Sequence, residues 1–182
     1  MINEADSDLK HQEFLEQNGY WGNRGVGAII YSPKQGKFGF GLRSDAVLEP
    51  GTIGTFGGAV DGGESDIEAL ERELSEEIGY FMPPEAFPLY SFKDKDKDFC
   101  YNSYLVIIDD RYFDPALNWE NDEIVFLSLE ELKKSEKLHF GIEAIIKDSD
   151  AINKLIHMGK IREFNFSYDD ENKLNSGSGL NF

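Results

Sequence analysis

The sequence predicts an α/β (α+β) domain, in which helices pack against a mixed β-sheet. Three observations carry this. Apolar runs of strand length, rich in β-branched and aromatic residues, recur at 24–32, 37–43, 87–94, 99–109 and 123–129. Between the second and third runs the period changes, and Ile67, Leu70, Leu74 and Ile78 recur at spacings of 3, 4 and 4. Strands come first, then a helix, more strands and further helices, an order that favours a mixed sheet covered by helices.

Each element has a local reason. Residues 1–20 are polar, with sparse apolar positions, and read as an arm or short helix. RGVGAIIYS (24–32) reads as a buried strand, and Pro33 and Gly36 turn the chain into a second, KFGFGLR (37–43). A loop of turn formers, SDAVLEPGTIGTFGG (44–58), leads to the helix. Ser65 and Glu68 make a capping box, Gly79 a left-handed stop, and Pro83 and Pro84 prevent continuation. KDKDKD (93–98) reads as a solvated hairpin tip between two strands. The last strand runs into a second capping box, Ser128 with Glu131, and broken helical periodicity continues to Met158. The polar, Gly/Ser-rich tail at 161–182 is expected to be mobile, which leaves a domain at 21–160.

Charge and composition exclude several functions. The chain has 182 residues, 18 Lys plus Arg and 35 Asp plus Glu, for a net charge of −17. Such a chain lacks the basic surface that nucleic-acid polymers or anionic membranes require. Apolar residues make up 40%, enough for a core without staples. The single cysteine, Cys100, precludes an internal disulfide, and no Cys/His spacing suits zinc. The acidic start MINEADSDLK is unlike a signal peptide, and no apolar run approaches a membrane span, so a cytoplasmic location is expected.

The helix does more than pack. With Ile67 at zero on a helical wheel, Leu70, Leu74 and Ile78 fall within roughly 60° of it. Glu73, Glu76 and Glu77 occupy a neighbouring arc about 100° wide, which puts them within reach of one point. No basic residue stands four positions from Glu73 or Glu77. A hard divalent cation with oxygen ligands is the natural partner for such an exposed face of carboxylates. Arg72 is expected to pair with Glu68 and Glu76 and so hold the geometry. The preceding loop, Gly57 to Glu64, contains glycines that allow close backbone approach; it is expected to fold over the helix start and set the carboxylates' orientation, and its amides are also candidates to meet a phosphate.

Gly58, five residues, Glu64, seven residues, then Arg72-Glu73-Leu74-Ser75-Glu76-Glu77-Ile78-Gly79-Tyr80 resembles the Nudix box, G-x5-E-x7-R-E-U-x-E-E-x-G-U, at every fixed position. The last position, usually a bulky aliphatic, is Tyr80. At ~7% per residue type, such a match arises by chance with probability on the order of 10⁻⁶. The resemblance implies a Nudix-type (MutT-like) α/β/α sandwich around a mixed sheet. It implies hydrolysis of a diphosphate bond in a nucleoside diphosphate linked to a group X, with Mg²⁺ or Mn²⁺ held by Glu73, Glu76 and Glu77. It also implies an acidic residue from outside the box, for which Glu120 and Glu123 are the candidates, with Glu123 carried forward as the catalytic one. Glu76, Glu77 and Arg72 complete the implied catalytic set. Gly57, Gly58 and Arg43 are the substrate-binding candidates, with Arg24 as a second basic residue.

Within that reading the substrate stays open. A proline marking ADP-ribose hydrolases and a tyrosine marking diadenosine polyphosphate hydrolases would stand at Asp96 and Asp98, so neither marker is present. A (d)NTP or oxidised nucleotide is as good a candidate as a nucleotide sugar. The competing class is a catalytically silent nucleotide-binding module on the same scaffold; the intact box argues against it. An isoprenyl-diphosphate isomerase would need a cysteine and glutamate arrangement that has no place here. The expected partner is a small-molecule nucleotide, with a homodimer allowed. Trp119, Tyr101, Phe126 and Phe140 are aromatic candidates for stacking on a base, although core packing explains most of them. Cys100 reads as a buried strand residue and His139 as structural.

Overall fold

The computed structural model describes residues 23–160 other than residue 97. The arm at 1–20 and the tail at 161–182 expected from the sequence therefore lie outside the described residues. The order is β1 (Arg24–Ser32), β2 (Lys37–Arg43), β3 (Ile53–Gly54), α1 (Asp66–Ile78), β4 (Glu85–Asp94), β5 (Phe99–Ile107), β6 (Asn121–Leu127), α2 (Leu129–Lys134) and α3 (Phe140–Lys147). A further helix, α4, is described over residues 149–160. The short β3 sits inside what the sequence suggested was wholly loop.

One sheet runs β3-β2-β1-β5-β4, with β6 paired to β2. It is mixed: β1 and β5 are parallel from Arg24–Cys100 to Tyr31–Ile107, and the other strand pairs are antiparallel. β1 is buried at every position after Arg24, as expected of a strand covered on both faces. Alternate residues of β1 enter two cores. Val26, Ala28 and Ile30 pack with Ala69, Leu70, Leu74 and Ile78 of α1. Ile29 and Tyr31 pack with Leu132, Ile142, Ile145, Ala151 and Leu155 from the helices on the other face. The result is an α/β/α sandwich.

The divergence of β1 from β2 shapes the site. β2 pairs with β1 only through Lys37 to Gly39; its later residues Gly41 and Leu42 pair with β3. The freed edge of β1 is taken by the loop after β3. Ala28 and Phe56 exchange backbone bonds of 2.6 and 3.0 Å, Val26 N–H donates to Gly58 O over 2.9 Å, and Val60 N–H donates to Arg24 O over 2.9 Å. The glycine loop is thereby stitched to the centre of the sheet.

The ends of α1 follow the sequence. Both bonds of the Ser65–Glu68 capping box form, and Gly79 sits at φ 65°. Tyr80 is 4% exposed, and its hydroxyl accepts from Asp109 N–H over 3.0 Å, so the departure from an aliphatic is absorbed by burial plus one bond. Two expectations change. Ile67 is 39% exposed, and the buried stripe of α1 is Ala69, Leu70, Leu74 and Ile78, accompanied by Glu73 and Glu77. β6 begins at Asn121 and ends at Leu127, two residues earlier than expected, because Ser128 leaves the strand to cap α2.

Candidate active site

The candidate site lies where α1 passes beneath the loop at 56–60. Glu73 and Glu77 are 9% and 3% exposed. The exposed acidic face expected from the helical wheel is in fact buried at these two positions, because the loop bonded to β1 folds over them. Gly57 makes this possible. Its φ is 146°, and a Cβ there would stand 2.1 Å from Val26 O. Gly58 is equally confined, since its Cβ would meet Glu73 Oε1 at 2.7 Å.

Arg72 organises the outer half. Its Nε and Nη2 each lie 3.0 Å from the two Glu64 oxygens, in a fork-to-fork pair. Nη1 reaches Glu73 Oε1 at 2.7 Å and Glu76 Oε2 at 3.4 Å, and Nη2 also donates to Ala59 O over 2.9 Å. The expected pairing with Glu68 does not form, because the Glu68 carboxylate is used by the capping box. Hydrogen bonding from Arg72 lowers the Glu64 carboxyl to about 2. Burial pushes Glu73 up to about 7, against the pull of Arg72. Glu76 stands at the rim with its side chain 57% exposed.

Glu77 is held differently. Gly57 N–H donates to Oε1 over 2.5 Å and Asn121 Nδ2 donates to Oε2 over 2.7 Å. Both donors are neutral. Burial, then the charges of Glu120 and Glu73, raise the Glu77 carboxyl well above the usual range. Gly57 therefore serves the carboxylate, and its amide is not free for a phosphate; the Gly58 carbonyl is bonded to Val26.

The two acids outside the box separate cleanly. Glu120 is half-buried, its charge acts on both Glu73 and Glu77, and it accepts from Asn118 Nδ2 over 3.1 Å. Backbone bonds from Asn118 N–H to Glu77 O and from Ser44 N–H to Glu120 O fix this segment at the end of α1. Glu123 is exposed and lies on the other face. β2 pairs Leu42 with Glu123 but Arg43 with Asn121, so Asp122 is an extra residue, and this bulge turns Glu123 away from the side Asn121 faces. The acid near the box is Glu120, not Glu123.

Arg24 is committed to Asp66 at 3.4 Å. Arg43 is half-buried, its Nε donates to Leu48 O over 2.7 Å, and among the described residues no carboxylate forms an ion pair with it. Of the aromatic candidates, Phe126 packs on the α1-side core and the Tyr101 hydroxyl meets Thr55 Oγ1 at 3.1 Å, while Trp119 and Phe140 are 53% and 55% exposed. His139 caps α3 by accepting from Gly141 N–H, and Cys100 is half-buried in β5. Asn121 is the residue sequence reasoning missed; its neighbours Gly41 and Glu77 come from other elements, so no local signal marked it.

A divalent cation fits this donor set. The acidic oxygens of Glu73, Glu76, Glu77 and Glu120 are hard ligands. Glu77 is a buried carboxylate with neutral donors only, an arrangement that is costly until a cation joins it. As they stand, no group of three or more His, Cys, Asp or Glu side chains among the described residues is arranged around a metal position.

Comparison with known proteins agrees with the geometry. The family model described as NUDIX domain matches residues 22–148. A MutT protein from Methanosarcina mazei is 25% identical, with a TM-score of 0.56 over 72% of this chain and 94% of that one. Two more distant structures share the fold. A MutT NUDIX hydrolase from Burkholderia pseudomallei is 21% identical, with a TM-score of 0.51 over 69% of this chain and 96% of its own. The NUDIX domain of Shewanella oneidensis NrtR, crystallised with ADP ribose, is 18% identical, with a TM-score of 0.56 over 79% and 97%. No curated protein matches the chain. Among the described residues no helix is long and apolar enough to cross a membrane.

Proposed function

The chain belongs to the Nudix family and is a hydrolase of phosphorus-containing anhydrides, in general terms a nucleotide-linked pyrophosphohydrolase; from that premise we propose that it cleaves the diphosphate of a (d)NTP, an oxidised nucleotide, a nucleotide sugar or a dinucleotide in a Mg²⁺- or Mn²⁺-dependent reaction in the cytoplasm. The observation that carries the reading is the buried Glu77, a carboxyl group held by two neutral donors beside Glu73 and Glu120.

Glu73, Glu76 and Glu77 are the residues that would hold the cation, with Glu120 as the acid from outside the box. When bound, the cation neutralises the diphosphate and activates a water for attack. Arg72 aims Glu73 and ties it to the loop through Glu64 and Ala59 O. Gly57 N–H aims Glu77 from above. Glu120 takes the proton of the attacking water on a carboxylate oxygen. Arg43, a half-buried cation with no carboxylate partner among the described residues, receives a phosphate away from the scissile bond. A protein of charge −17 accepts an anionic substrate because the substrate arrives as its metal complex.

The test is a hydrolysis panel with Mg²⁺ and, separately, Mn²⁺. It includes NTPs, dNTPs, 8-oxo forms, ADP-ribose, NADH, nucleotide sugars and diadenosine polyphosphates, with products resolved by chromatography. Turnover of one substrate class that is lost in Glu77→Gln supports the reading. A folded, metal-binding protein that is silent across the panel overturns the substrate assignment.

A further inference from the structure

Asn121 enters the reading above only as one of the two donors to Glu77, yet its geometry is as constrained as that of the glutamates. It is the first residue of β6 and 6% exposed. The bulge at Asp122 brings it to the face of the sheet that α1 covers. There its Nδ2 donates to Glu77 Oε2 over 2.7 Å, while Gly57 N–H donates to Oε1.

Two donors on opposite oxygens fix both the plane and the rotation of the carboxylate. Each oxygen has two lone pairs, so one on each is used and one on each remains for a cation. A neutral amide does this without cancelling the charge that a cation needs, which an arginine in the same place would do.

The space for the amide is also specific. Gly41 lies on the facing stretch of β2, and a Cβ there would stand 2.1 Å from Asn121 Oδ1 and 3.0 Å from the Phe56 ring. A glycine in a strand interior weakens the strand. Here it leaves room for the side chain that holds Glu77.

The plainer account is that Asn121 is a satisfied buried polar residue. That account predicts a loss of stability on replacement and no change in cation affinity once the variant is folded. The geometry argues for more, because the bond ends on the one buried carboxylate of the site that has no charged partner.

We propose that Asn121 is a positioning residue for the divalent cation, holding the Glu77 carboxylate in its ligating orientation, with Gly41 as the required gap beside it. This rests on the functional reading above, and the test separates the two.

The experiment titrates Mn²⁺ into the full-length, nucleotide-free protein and follows the free ion by electron paramagnetic resonance. Asn121→Leu removes the donor at similar volume, Asn121→Ser removes its reach with a smaller perturbation, and Gly41→Ala displaces the amide while leaving its chemistry intact. Thermal melts select folded variants, and kcat and KM are measured on the best substrate of the panel. The expected result is Mn²⁺ affinity lowered about 10-fold to 100-fold, with kcat reduced and KM for the nucleotide within about threefold. Gly41→Ala is expected to move the same way. Wild-type Mn²⁺ affinity in a folded Asn121→Leu or Asn121→Ser protein overturns the inference alone. A wild-type protein that neither binds Mn²⁺ nor hydrolyses any diphosphate overturns the functional reading as well.

Discussion

Arg72 and Glu64, eight residues apart, meet through two parallel contacts of 3.0 Å, and the same guanidinium reaches Glu73 and the Ala59 carbonyl. A lysine offers one point charge and cannot serve all three. Arg72→Lys should therefore lower kcat tenfold or more and move the urea midpoint down, with a smaller change in KM. Steady-state kinetics beside a urea melt checks this; an unchanged kcat would remove Arg72 from the orientation of Glu73.

The same pair sets an acid limb. Arg72 holds Glu64 at about 2, below its ordinary 4.5. A lowered folded-state value means that the pair stabilises fully above pH 4.5 and loses this support as pH falls towards 2. Glu64→Gln should be less stable than the wild type at pH 6, and the difference should shrink as pH falls through that window. Urea melts at pH 6, 4 and 3 read it directly. A difference independent of pH would assign the loss to packing.

Glu77→Gln places an amide where two donors converge, so one of them faces an N–H. The charge that burial opposes is removed at the same time, and the two effects offset. The metal-free melting temperature should stay within a few degrees, while kcat falls well over tenfold. Millimolar Mg²⁺ should raise the melting temperature of the wild type and leave that of the variant unchanged. Equal shifts in both proteins would place the cation away from Glu77.

The charge of Glu120, just ahead of β6, acts on Glu73 and Glu77, whereas Glu123 lies on the face of β6 opposite to Asn121. Glu120→Gln should cost more than tenfold in kcat, whereas Glu123→Gln should stay within twofold. The reverse order would mean that β6 adopts a different register when loaded.

Gly57→Ala forces a Cβ to within 2.1 Å of Val26 O at a φ of 146°. The loop must leave β1, at a cost of about 2 kcal/mol or more. Chemical denaturation measures it, and a loss below 0.5 kcal/mol, roughly the level of an ordinary surface change, would contradict the stitched loop.

Much of this was legible from local chemistry. Ser65, Glu68 and Gly79 mark the ends of α1 because caps are decided within four residues of chain. β1, buried on both faces, announced itself by its unbroken apolar run. The box residues were legible by spacing, but their burial was not. A helical wheel puts Glu77 beside the apolar stripe and cannot see the loop that covers it. That the glycine loop would set the carboxylates' orientation was legible, but not that Gly57 does so, since its partners Val26 and Glu77 come from other elements. Glu120 and Glu123 could not be told apart in the sequence, because that region has no fixed spacing to the box; one extra residue, Asp122, turns Glu123 to the face opposite Asn121, and only pairing with β2 reveals it.

The attachment of the glycine loop to β1 also sets an order of assembly. β1 is flanked on its other edge by residues 100–107, and Asn121 comes later still. A nascent chain that has emerged only as far as the β4–β5 turn carries the whole box but lacks the parallel neighbour that completes the strand beneath it. Closing so distant a contact is slow relative to forming α1. Glu77 thus acquires its full enclosure only when the later half of the domain, which supplies Asn121, arrives. A peptide spanning the box alone would display the acidic residues but not the enclosed carboxylate on which the proposed chemistry depends.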